Sequence, residues 1–330
     1  MNLQYDAKIK SILANKYILA WILKYVTKEF YTCSVDRIKD CIENPRVGYE
    51  SIIPGTTTFE KLDVDRISGM PTESIIVNEG EIDFDVRFNV YTPETLTEKI
   101  IVDVEMQNDY YPGYDLVTRG IFYNARQMSS QLETEFTVRA DDRIKYGNIK
   151  KVYSIWLCLD CPQYAQNTIT SYDIKPTKLF GNFNKNVRYD LMSVVVVCLD
   201  NCMADIVDDG DMEGVARGES EVRYEDFLRM LTVLLFHMDF EKKKQILESY
   251  GIPMEEKLRE DVMEMCNLSK GIEERGIRKG IQQGIANLVE TLLEMNQPKE
   301  VIIEKLMDKY ELLETEAETY LSASRLFPLE

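Results

Sequence analysis

Residues 81–107 read EIDFDVRFNVYTPETLTEKIIVDVEMQ, and their acids stand where acids are expensive. Two β-forming runs flank a loop containing Pro93, and within each run the side chains should alternate between faces. In the first, Phe84, Val86 and Phe88 are predicted on one face and Asp83, Asp85 and Arg87 on the other. In the second, Val102, Val104 and Met106 oppose Asp103, Glu105 and Gln107. A carboxylate taken out of water without a partner is strongly disfavoured, so acids on the inner positions of paired strands call for a cation. Asp85 and Glu105 offer hard oxygen donors suited to Mg2+, and such an ion can polarise a phosphate and position a water for phosphodiester hydrolysis. The same two acids could instead be neutralised by Arg87 or by water, with no chemistry attached.

The elements that must position this pair follow from the hydrophobic periods. Residues 6–31 are predicted as one helix, with Ile9, Ile12, Leu13, Tyr17, Ala20, Trp21 and Lys24 near helical spacing, and 35–43 as a short helix stopped by Asn44-Pro45. A strand at 73–77 turns through Asn78-Glu79-Gly80 into the strand 81–90, and 100–107 makes three in succession. Residues 115–133 are predicted as an amphipathic helix that buries Val117, Ile121, Ala125, Met128 and Leu132 and presents Arg119, Tyr123, Gln127 and Gln131 as a polar stripe. Strands at 151–160, 168–174 and 187–199 follow, the last so apolar over 194–197 that both its faces should be buried. Beyond residue 200 come an acidic stretch at 205–225, helices at 224–250 and 254–268, and Gly276-Ile277, Gly280-Ile281 and Gly284-Ile285 at a period of four. The implied organisation is an α/β domain over 1–204, a helical extension over 205–270, and a Gly-Ile helix with a small helical tail over 271–330.

Asp85, followed twenty residues later by Glu105-x-Gln107 at the end of an apolar strand, resembles the PD-(D/E)XK nuclease signature. Further blocks extend the likeness: Tyr5-Asp6-Ala7-x-Ile9-Lys10, Leu13-Ala14-Asn15-Lys16-Tyr17, Arg119-Gly-Ile-x-Tyr123, Lys151-Val-Tyr-Ser-Ile-Trp156 and Met265-Cys-Asn-Leu-Ser269. In this order they resemble the recombination-promoting nucleases, a PD-(D/E)XK family also described as transposases. The resemblance implies a restriction-endonuclease-like core, a Mg2+-dependent DNA endonuclease activity, and a link to recombination or mobile elements. It implies Asp85, Glu105 and Gln107 as catalytic residues, with the metal held by Asp85, Glu105 and the carbonyl of Met106. Gln107 stands where the wider family often has lysine; its amide can orient a water or a phosphate oxygen but carries no charge. Arg119, Tyr123 and Gln127 are candidate phosphate contacts. Lys145 and Lys150 belong to a second candidate, the basic run 139–151, in which five cations face two acids.

Composition limits the alternatives. The chain has 330 residues, 45% hydrophobic and 29% charged, and no apolar run long enough to span a bilayer; with no signal-like N-terminus, a cytoplasmic location is expected. Seven cysteines without a leader suggest reduced thiols, and Cys158-x2-Cys161 and Cys198-x3-Cys202 read better as buried strand cysteines than as zinc ligands. A single histidine, His237, excludes two-histidine metal sites within one chain, and no P-loop stretch is present. The net charge of −18 works against phosphate binding, so any DNA surface must be local. That charge and Gln107 favour a competing reading: a catalytically weak or inactive interaction protein that forms a homo-oligomer through the Gly-Ile region, whose small residues would admit a second helix.

Overall fold

Four consecutive valines set the middle of the molecule. In β8 (Met192–Cys198), Val195 and Val197 belong to one hydrophobic core and Val194 and Val196 to another, so the strand is buried on both faces as its composition predicts. It lies parallel to β6 (Lys151–Asp160), which lies parallel to β5 (Lys99–Asp109). Antiparallel strands complete the sheet: β7 (Thr168–Asp173) on β8, β4 (Val86–Tyr91) on β5, and β1 (Ile42–Val47) outside β4. The sheet order is β1-β4-β5-β6-β8-β7, and β2 (Glu73–Ile76) with β3 (Gly80–Asp83) forms a separate hairpin. The computed structural model describes residues 3–47, 70, 73–76, 80–93, 98–132, 134–136, 146–182, 185–200, 224–236, 238–310 and 312–323. Over these residues the protein is mixed α/β.

Helices cover both faces of the sheet. On one lie α1 (Leu3–Leu13), α2 (Lys16–Val26), α5 (Tyr224–Leu235), α6 (Phe240–Ser249) and the start of α7 (Glu256–Glu294), sharing a core with Val86, Phe88, Val102, Val104 and Val195. On the other lies α4 (Leu116–Ser129). The expected single helix over 6–31 is two, because Asn15 ends the first and caps the second, its Oδ1 accepting from the N–H groups of Tyr17 and Ile18. The expected helix over 224–250 is likewise split at Asp239, which caps α6.

Three strand expectations change. The hairpin at 73–83 stays out of the main sheet, and its place beside β4 is taken by β1, which follows directly on α3 (Val35–Cys41). Pro45, read as a stop signal, sits in that edge strand, where the register shifts between Glu43 and Arg46; edges and bulges are where proline is tolerated. The expected strand 81–90 is broken by a bend at Asp85, which reverses the alternation. Phe84 joins the α4-side core with its ring 5.1 Å from the Arg87 guanidinium, while Val86 and Phe88 join the opposite one.

The largest correction concerns α4. Its expected apolar stripe is turned outward: Ile121, Ala125 and Leu132 are exposed, whereas Tyr123, Gln127 and Gln131 are buried. The sheet face beneath it carries Arg87, Asp103, Glu105 and Ser154, and polar side chains are what such a face requires. Asn124 donates to the Ser193 carbonyl at 2.9 Å, and Gln131 both donates to the Lys150 carbonyl and accepts from its N–H. Gly120 permits the approach. A Cβ there would lie 2.5 Å from Val194 Cγ1 and 2.9 Å from Trp156 Nε1. Gly120→Ala is therefore expected to cost about 1–3 kcal/mol through overpacking, against roughly 1 kcal/mol of helix propensity regained. A urea midpoint at or above that of the parent would contradict this.

The chain divides into two compact units, Met1–Cys266 and Asn267–Glu330. The described part of the expected extension 205–270 thus packs largely with the sheet domain: Tyr5 donates to the Leu235 carbonyl, Trp21 to that of Tyr250, and Phe227 and Leu231 are fully buried. In the second unit, α7 packs with α8 (Lys299–Tyr310) and α9 (Glu314–Ala323) around Ile285, Val289, Ile302, Leu306 and Leu321. The close approach expected from a second copy is made at Gly284 by the chain's own Tyr310, whose hydroxyl lies 2.9 Å from where a Cβ would be. Ile285 is spent on the internal core, although Ile281 remains exposed. No described helix is long and apolar enough to cross a membrane.

Candidate active site

The β4–β5 ladder stops at the pair Val86 and Val104, one residue short of the two acids. Beyond it β5 continues on β6 alone, so its β4-facing edge is free to meet side chains. Asp85, at the bend, uses this opening: its Oδ2 accepts from the Met106 N–H at 2.8 Å, while its own N–H donates to Glu105 Oε1 at 3.0 Å. Two main-chain bonds therefore clasp the carboxyl groups together. Within an extended strand the N–H and C=O of one residue face the same edge, so the Met106 carbonyl also points to the Asp85 side.

A lysine that sequence reasoning did not place in the site completes it. Lys10 Nζ lies 2.9 Å from Asp85 Oδ1 and 2.9 Å from Asp6 Oδ2. Both are on α1, one turn apart, and α1 is held against the sheet by Ile9, Ile12 and Leu13. Asp6 and Lys10 fall in the N-terminal block that carries the resemblance; the i, i+4 spacing was visible, but nothing local said which strand the helix would face.

The site is short of positive charge. Burial pushes the Glu105 carboxyl well above its ordinary range, and the nearby Asp85 and Asp103 charges push it further; the Asp85 N–H and Arg119 only partly oppose them. Burial also raises Asp85, with Lys10 and the Met106 N–H pulling it back. For Lys10, burial opposes the charge, but Asp85 and Asp6 outweigh it and hold the ammonium firmly protonated.

Asp103 belongs to a different network. It is fully buried, accepts from Ser154 Oγ at 2.7 Å and from Gln127 Nε2, and Gln127 Oε1 in turn accepts from Arg87 Nε at 3.2 Å. Burial raises Asp103 to about 7 against the pull of Ser154, Arg87 and Gln127. Arg87 thus reaches Asp103 through Gln127 and by its charge, and it also donates to Ser130 Oγ at 3.3 Å.

The candidate contacts separate accordingly. Gln127, 1% exposed, is closed off from a phosphate by its part in this network. Tyr123 is a core residue between Phe84 and Trp156, its hydroxyl accepting from Arg119 Nη2 at 2.7 Å. Arg119 alone of the three stays half-exposed, and its charge reaches Glu105. Gln107 is half-buried beyond Glu105 on the same strand. Lys150 is not at the site: it precedes β6 at the Ile100–Lys151 rung, five rungs or roughly 16 Å from the Glu105–Trp156 rung at about 3.3 Å per residue. Lys151 is buried against Glu29 and Asp190, and Lys145, like 137–144, lies outside the described residues. So does His237.

Among the described residues no group of three or more His, Cys, Asp or Glu side chains could hold a metal. An ion here would be held by two carboxylates, a carbonyl and water, the sparse set of oxygens that Mg2+ takes. The donors present fit that description, and each carboxylate oxygen has lone pairs beyond those its hydrogen bonds use. Cys158 in β6 and Cys198 in β8 are free and buried in the α4-side core, together with Cys161 just beyond the end of β6. No family model, curated protein or solved structure matches the chain.

Proposed function

We propose that the protein is a Mg2+-dependent DNA endonuclease of the PD-(D/E)XK type, hydrolysing phosphodiester bonds at the Asp85–Glu105 pair. One observation carries the reading: Glu105 is buried beside two other carboxylates, and its charged form lacks a full complement of positive charge. Acids perturbed by burial and by neighbouring like charges cluster at functional sites. With α3 and the β2–β3 hairpin set aside as insertions, the order α2, β1, β4, β5, α4, β6, antiparallel up to β5 and parallel from β5 to β6, supports it.

Asp85, Glu105 and the Met106 carbonyl would hold the ion. When bound, it supplies Lewis acidity toward the phosphate and a water of lowered pKa. The chain's own groups do the rest. The Asp85 N–H fixes the Glu105 carboxylate, and the Met106 N–H fixes that of Asp85, so neither has to reorganise. Lys10 brings the positive charge that Gln107 lacks, placed to meet a phosphate oxygen if it turns from Asp85. Gln107 orients the water.

A second reading, an inactive interaction protein, is favoured by Lys10 already neutralising Asp85. Incubating circular DNA with the purified protein, with Mg2+ or with EDTA, separates the two. Cleavage that needs Mg2+, is lost in Asp85→Asn and falls about tenfold in Lys10→Met, the effect of one charge-assisted hydrogen bond, is the expected result. Absence of cleavage, together with no thermal shift on adding Mg2+, would establish the second reading.

A further inference from the structure

We infer that the substrate is single-stranded DNA, whose bases stack on tyrosines at the strand ends beyond the acid pair; this rests on the hydrolytic reading above. The tyrosine rim is formed where parallel β5 and β6 end, the edge at which open α/β sheets bind ligands, and its Asp109–Asp160 rung lies roughly 13 Å, about the reach of two nucleotides, beyond the Glu105–Trp156 rung. Directly after β5 come Tyr110, Tyr111 and Tyr114, and shortly after β6 comes Tyr164. Tyr111 is 63% exposed, Tyr114 43% and Tyr164 81%. The two segments are tied together, the Tyr110 N–H donating to the Asp160 carbonyl at 3.2 Å and the Tyr110 ring meeting that of Tyr164 edge-on at 6.2 Å.

Arg119 links this rim to the acids. It donates to the Tyr114 hydroxyl at 2.9 Å and to that of Tyr123 at 2.7 Å, and its guanidinium stands about 5 Å from the Tyr123 and Trp156 rings. An arginine held by aromatic rings beside exposed tyrosines offers both a phosphate contact and stacking surfaces.

Charge decides between single and double strands. Duplex affinity comes mainly from neutralised phosphates, and this chain carries −18 overall, with Asp109, Asp115 and Asp160 on the same rim. Stacking draws on base faces instead, which a duplex hides and a single strand presents. Three exposed rings and few cations therefore match the single strand.

The test measures binding without cleavage, in EDTA, by anisotropy of a labelled 20-nucleotide oligo(dT) and of a duplex of equal length, using the full chain. Expected are at least about tenfold tighter binding of the single strand, a loss of about five- to a hundredfold in Tyr111→Ala and Tyr164→Ala, and near-parental binding in Tyr111→Phe and Tyr164→Phe. Equal or tighter duplex binding, no binding to either, or alanine variants that bind like the parent would each overturn the inference. Cleavage with Mg2+ is read separately. Cutting of duplex and single strand alike, insensitive to the tyrosines, would leave hydrolysis standing and remove the stacking; tyrosine-dependent binding without cutting would do the reverse.

Discussion

Glu105→Gln is expected to lower Mg2+-dependent cleavage by about a hundredfold or more while leaving the metal-free fold at least as stable as the parent at pH 8. The first half reflects the loss of an anionic oxygen ligand, since metal-assisted charge stabilisation amounts to several kcal/mol and every 1.4 kcal/mol or so is tenfold in rate. The second follows from burial. In the parent the carboxylate is 3% exposed and faces Asp85 and Asp103, whereas glutamine removes the charge and keeps an oxygen for the Asp85 N–H. The folded state holds the Glu105 proton at pH values where the unfolded chain, with a pKa near 4.5, has released it. Its contribution is therefore present in full at acid pH and is lost as pH climbs through the raised folded-state value. In EDTA the parent should lose stability over that rise more steeply than the variant, and Mg2+ should raise the melting temperature of the parent alone. A variant that cuts normally, or is clearly less stable than the parent at pH 8 in EDTA, would remove Glu105 from the site.

Arg87→Met is expected to destabilise the sheet at pH 8 by removing the charge that opposes the fully buried Asp103; because Asp103 can take up a proton instead, that part of the loss is limited to about 1.4 kcal/mol, on top of the lost bonds and packing. The shape of the loss is diagnostic. Asp103 already titrates near 7 when folded, against an ordinary value of 3.8, and the loss of Arg87 raises it further. At pH 5 the carboxyl is protonated in the folded state of parent and variant, so the difference between them should narrow, the bonds with Gln127 and Ser130 and the packing on Phe84 being among what the variant still lacks. Above pH 7 it should widen. Adding Asp103→Asn should recover the pH-dependent part of the loss, since no buried charge then remains to be matched. Chemical denaturation of the four proteins at both pH values gives the answer. A pH-independent cost, or no recovery in the double variant, would mean that Arg87 acts by packing alone.

Most of the strand and helix content was legible because local periods are short-range properties. β6 falls where the apolar run 151–160 places it, and the valines of β8 are buried on both faces as an unbroken apolar run requires. Asp83, Asp85, Asp103 and Glu105 were legible as acids embedded in β-forming runs, where they are costly; the choice of Asp85 and Glu105 among them rested on the resemblance to the nuclease signature. The turn of α4 was not legible. Amphipathicity assumes that the partner face is apolar, and here that face holds Arg87, Asp103, Glu105 and Ser154, so glutamine and asparagine went inside and isoleucine outside. The exchange of the 73–83 hairpin for β1 was hidden for a related reason. Strand pairing is decided between segments far apart in sequence, and Pro45 signals a break only when the strand is not an edge.

By itself the sequence determined that two acids, Asp85 and Glu105, lie in adjoining β segments of an α/β protein whose negative charge leaves little for phosphate binding. Tertiary structure alone decided that the Asp85 bend clasps them through two main-chain bonds, that Lys10 arrives from α1, and that Arg87 joins the network of Gln127 and Asp103. The reason is the range of the forces: alternation and propensity are fixed within a few residues, whereas the partner of a buried charge is whatever the packed chain brings within reach once water has been excluded.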